Sequence, residues 1–92
     1  MRFLVVHSLE PGTTRARLIE ICDSMPAEFK FVCSFVNMSE GKAVCVLRAP
    51  SQEAIAKWLD EHHLGYDAIW PVEMECSEGE FIERETAVGA GR

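Results

Sequence analysis

Strand and helix patterns in the order strand–helix–strand–strand–helix–strand predict an α+β domain of the ferredoxin-like βαββαβ class. Three observations carry that expectation. Two apolar runs, Phe29–Asn37 and Lys42–Ala49, are joined by the turn residues Met38-Ser39-Glu40-Gly41, a hairpin signal. Two stretches with helical apolar spacing flank the hairpin, each behind a capping Ser or Thr. Short apolar runs open and close the set, at Arg2–His7 and Tyr66–Met74. Joined by right-handed crossovers, these elements give a four-stranded antiparallel sheet with two helices on one face.

Each element has its own local signal. Arg2–His7 is rich in β-branched and aromatic residues and stops at Ser8-Leu9-Glu10-Pro11-Gly12, where Pro-Gly marks a turn. The Thr13-Thr14 pair can cap a first helix whose stripe is Leu18, Ile21, Cys22 and Met25, with Pro26 ending it. In the hairpin, Phe29, Phe31, Cys33 and Phe35 share one parity, and Gly41 is the residue suited to positive φ. The return strand sets Ala43, Cys45 and Leu47 on one face, with Val44 and Val46 on the other. Pro50-Ser51 starts the second helix, striped by Ile55, Trp58, Leu59 and His62, with Gly65 placed to end it. Pro71 confines the last strand to an edge or a strand end. Residues 1–76 are read as one domain and 77–92 as an acidic, flexible tail with a brief ordered piece at Phe81-Ile82.

Charge narrows the function classes. The chain has 92 residues and a net charge of −6. Residues 1–72 hold nine acids and seven bases, whereas residues 73–92 hold six acids and two bases. A near-neutral body with an acidic end lacks the clustered Lys and Arg that displace phosphate counterions, so no nucleic-acid partner is expected. No basic face favours a membrane surface and no run reaches the length of a membrane span. Met1–Val6 is too short for a signal h-region and reads as a strand, so a cytoplasmic location is expected. The four cysteines, Cys22, Cys33, Cys45 and Cys76, form no CxxC pair, and reduced, buried thiols are expected.

The strands are apolar on both faces, but two helices cover only one face of such a sheet. A solvated second face should alternate polar and apolar residues. Leaving it bare would expose more apolar surface than soluble monomers tolerate, so a homodimer packed through the open sheet face is expected.

The opening FLVVH, the Pro-Gly turn, the aromatic hairpin, APSQEA and the closing DAIWPV together resemble small bacterial proteins of the dimeric α/β-barrel superfamily. The resemblance covers residues 2–74 and extends to families of uncharacterised function, one with a nickel-binding member. It implies a dimeric α/β barrel, with His7 at the first position of that member's histidine pair and Cys45 at its strand cysteine. Ser8 stands where the second histidine would be, and Trp70 near another.

Candidate site residues follow. His7 ends the first strand and, as the side chain that titrates near neutrality, could serve as metal ligand or general base. Cys45 would be a soft ligand beside it, for nickel or zinc. His62 and His63 lie about 100° apart on a helix, so they cannot both face one ion, but either could add a donor. Their position also suits the negative helix C-terminus. Arg48, on the Val44 and Val46 parity, is either at a dimer rim or paired with Glu53. Three functions remain open. One is a small homodimeric binding protein that holds nickel or zinc through His7, Cys45, His62 and His63, with no organic cofactor. Another is a cofactor-free enzyme acting on a small apolar or aromatic ligand with His7 and Arg48 at the pocket. The third is an accessory or regulatory module without chemistry.

Overall fold

The computed structural model describes residues 1–83. The elements are β1 (Arg2–Ser8), α1 (Arg15–Asp23), β2 (Lys30–Asn37), β3 (Lys42–Arg48), α2 (Gln52–Glu61), β4 (Ala68–Pro71), β5 (Met74–Ser77) and β6 (Glu80–Glu83). The expected ferredoxin-like βαββαβ chain and dimeric α/β barrel are therefore corrected. The order is β-α-β-β-α-β-β-β, with six strands in two sheets, and strand dominates over helix. One sheet has the order β2-β3-β1-β4 with every pairing antiparallel, and the other is the separate hairpin β5-β6.

The difference arises at the last expected strand. Tyr66–Met74 does not run through. It stops at Pro71, which has no N–H for a ladder, and the Val72 N–H donates instead to the Arg2 carbonyl at 2.9 Å. The chain then re-enters extended conformation at Met74. Glu78 and Gly79 turn it back with φ of 52° and 84°, the paired positive φ of a two-residue type I′ hairpin loop. Residues 77–83, inside the stretch expected to be a tail, thus form most of this hairpin, and Phe81-Ile82 lies in β6. Arg2 Nη1 ties the hairpin to β1 through the Glu75 carboxylate, 3.3 Å and 3.4 Å from its two oxygens. The rest of the expected tail, 84–92, lies outside the described residues.

The core sits on one face of the larger sheet. Phe3, Val5 and Leu47 from the strands and Ala49 just past β3 meet Ile21 of α1 and Ile55, Trp58 and Leu59 of α2. The two helices contribute unequally. In α2 the Ser51 hydroxyl caps by accepting from the Ala54 N–H at 3.1 Å, and three residues are buried. In α1 Thr14 caps in the same way toward the Arg17 N–H, yet only Ile21 is buried. Cys22, expected in the core, is exposed. The exit from α2 also differs from expectation. His62 is the C-cap and His63, at φ 56°, takes the left-handed position expected of Gly65.

A β-bulge breaks the single parity expected along β2. Phe31 pairs with Leu47, but the register then shifts, so that Cys33 pairs with Val46 and Ser34 with Cys45. Val32 is the extra residue, and a one-residue slip exchanges the faces of everything after it. Cys33 and Phe35 therefore join Val44 and Val46 on the face away from the helices, while Ser34 and Val36 join Ala43 and Cys45. Cys33 and Cys45 do not share a face. At the other end of the hairpin Gly41 does adopt positive φ, 67°, and a Cβ there would meet the Leu9 carbonyl at 3.3 Å. No helix of the described residues is long and apolar enough to cross a membrane.

Candidate metal centre at His7 and Cys45

His7 is on the inward parity of β1, opposite Ala43, and only 5% exposed. Its Nδ1 lies 2.9 Å from the Gly65 carbonyl oxygen. A carbonyl can only accept, so Nδ1 carries the proton and donates it. In the neutral ring this tautomer gives Nε2 the free lone pair. Nε2 points to the Cys45 Sγ, 3.5 Å away, and the thiol S–H is the group that donates to it. Metal-bound histidines are held the same way, one ring nitrogen donating to a carbonyl or carboxylate while the other ligates.

Cys45 comes from the central strand β3, two residues from the fully buried Leu47. Burial pushes its thiol up to about 12, with the nearby Cys22 and Cys33 thiols adding to the effect. Burial also raises the Cys22 thiol, with Asp23 contributing. The pair is thus a neutral thiol beside an imidazole, with no standing thiolate at physiological pH. That disfavours a cysteine nucleophile, which needs a depressed thiol pKa. A metal ion, by contrast, would displace the proton and take the thiolate.

The pair forms part of the wall of an apolar cavity of about 270 Å³ between α1 and the β2–β3 hairpin. Leu18, Ile21 and Met25 line it from the helix side, with Phe31, Val36 and Leu47 across from them.

The other expected site residues lie elsewhere. Arg48 pairs with Arg2 at the far end of the sheet, five residues along β1 from His7, or about 17 Å at strand rise. It has no ion pair with Glu53 or another acid among the described residues. His62 closes α2, its ring packed edge-on against Trp58 with centroids 5.8 Å apart and its Nε2 3.3 Å from the Ser24 hydroxyl. His62 and His63 line a separate depression with Arg17, Ile21, Leu64 and Gly65. Among the described residues no group of three or more His, Cys, Asp or Glu side chains is placed to hold a metal ion. His7 and Cys45 suit a borderline divalent metal in donor type, imidazole and thiolate, and supply two positions of its shell. The Gly65 carbonyl, which orients His7, was not legible as a functional group, because a backbone acceptor brought in by a loop leaves no mark in the residue type.

No match was found among curated proteins or among solved structures. A family model described as "Nickel responsive protein SCO4226-like" matches residues 3–72, from the first strand through β4 to Val72, and includes both His7 and Cys45. The chain belongs to the nickel responsive protein SCO4226-like family.

Proposed function

We propose that this protein binds nickel, with His7 Nε2 and the Cys45 thiolate as its protein donors, and works as a homodimer. The observation that carries the reading is the His7 geometry, in which Nδ1 is committed to Gly65 and Nε2 is left open toward Cys45. Family membership supports nickel over other borderline metals. Bound there, nickel would need further donors, for which water is available through the open side of the cavity. A metal of this class would supply either a sensing event or storage, since the protonated Cys45 thiol is no standing nucleophile beside it. The Cys45 proton leaves when the metal enters, so binding is coupled to proton release.

Titration of the apo-protein with nickel, zinc and copper tests the reading. Nickel is expected to bind more tightly than about 100 μM, an affinity of about −5.5 kcal/mol. His7→Ala and Cys45→Ala each remove a coordinating donor and are each expected to weaken it by at least about tenfold, the lower end of what losing even an orienting partner costs. Wild-type binding weaker than that limit, or binding unchanged in both variants, removes the proposal.

The dimer is supported by the face opposite the helices. Leu4, Val6, Val44, Val46, Phe35 and Trp70 share it by register, and Phe35 and Trp70 are 71% and 48% exposed. An apolar sheet face of that extent is the kind of surface that pairs with its own copy. Cys45 points to the other side of the sheet, so pairing through this face leaves the metal donors of each copy separate. Light scattering at low micromolar concentration is expected to give twice the chain mass, and Phe35→Glu to give the monomer. A monomeric wild type would end the dimer proposal and leave the metal proposal standing.

A further inference from the structure

The cavity beside α1 is larger than a metal ion needs, and its walls have a different chemistry from the His7–Cys45 pair. It measures about 270 Å³, and nearly all of its surface is carbon or sulfur. An apolar core cavity of about 150 Å³ stays dry and admits benzene. Scaled by volume, this one accommodates about ten or eleven non-hydrogen atoms. Water that enters finds few polar partners on the walls, so an apolar ligand displaces it at little cost. Its chemistry also favours rings over chains. Phe31 and Trp58 present aromatic surface, while Met25, Cys22 and Cys45 place sulfur around the same space, a favourable neighbour for ring edges. The entrance is open too. Ile19, Phe31 and Val36 line the cavity and are 61%, 42% and 45% exposed, because α1 stands off the edge strand β2.

We propose that this cavity is a binding site for a small, uncharged aromatic molecule about the size of two fused rings. Apart from the buried His7, no acid or base lines it, so an ionised ligand would lose its hydration without a partner. The site is independent of nickel in its chemistry, and its test is run in EDTA so that failure of one reading leaves the other intact.

Naphthalene serves as probe, 2-naphthoate as its charged counterpart, and amide NMR of the full chain as readout. Naphthalene is expected to give saturable shifts at Cys22, Ser34, Val36 and Leu47, with a Kd below about 100 μM. 2-Naphthoate is expected to bind at least about tenfold more weakly. Ser34→Phe and Cys22→Phe enlarge exposed residues that line the cavity, so each should fill it without unfolding the chain, and each is expected to cut naphthalene binding about tenfold. Four results overturn the proposal. These are no saturable shift, as when the C-terminal segment or a second copy already fills the space, shifts confined to the open sheet face, equal affinity for the anion, or undiminished binding in both filled variants.

Discussion

Ile55→Ala is expected to destabilise the protein by about 3–4 kcal/mol, the cost of deleting buried methylenes and leaving a cavity that the surroundings only partly fill. Ile55 is completely buried and lies on the α2 stripe, in the core cluster with Val5, Leu47 and Leu59. A domain of this size has a total stability of about 5–14 kcal/mol, so the loss is a large share of it. Thermal unfolding followed by circular dichroism should show a Tm lowered by about 12–30 °C. The matched control is Ile19→Ala on α1, where the side chain is 61% exposed and little is lost on truncation. Its expected cost is below about 1 kcal/mol. The asymmetry between the helices is the substance of the prediction. Equal losses in the two variants would mean that α1 packs as α2 does, and that the cavity beneath it is closed in solution.

The elements that could be read in the sequence are those whose signal is local. Ser51 as cap and Ile55, Trp58 and Leu59 as a buried stripe follow from spacing alone, and all four hold in the structure. Thr14 and Gly41 behave likewise. What escaped depended on pairing. The Val32 bulge exchanges the faces of Cys33 and Phe35, yet nothing in FVCSFV marks one residue as unpaired. Glu78-Gly79 is a weaker turn signal than Asn-Gly or Asp-Gly, and it sits in an acidic stretch whose charge suggested solvation rather than a hairpin. The candidate site divides along the same line. His7 at a strand end and Cys45 at the centre of a strand could be singled out by residue type. Their approach to 3.5 Å and the Gly65 carbonyl that fixes the imidazole are products of tertiary contact. His62 and His63 were equally conspicuous in sequence and lie in a different depression.

The Cys45 thiol makes stability depend on alkaline pH, and the sign follows from its direction of shift. Burial, helped by Cys22 and Cys33, holds it at about 12 in the folded protein against 9.0 for an ordinary thiol. The folded state therefore keeps a proton that the unfolded chain releases above pH 9. Below that pH both states are protonated and the contribution is fully present. As pH rises from 9 toward 12 it is lost, by about 1.4 kcal/mol per unit. Tyrosine and lysine also titrate in that range, so the observable is the difference between wild type and Cys45→Ala in urea unfolding at each pH. Near pH 7 the wild type is expected to be the more stable, since Ala leaves the thiol's volume empty beside the existing cavity. Above pH 9 its advantage should shrink steadily and then reverse, because the variant has no proton to hold at that position. Parallel stability curves from pH 7 to 10.5 would show that Cys45 is solvated enough to ionise normally. A thiol that ionises normally would also bind nickel with little proton release at high pH, so the same comparison bears on the metal chemistry of the pair. Retention of the thiol proton keeps Cys45 an inert neighbour of His7, and under the proposed function it is the proton that an entering metal ion would have to displace.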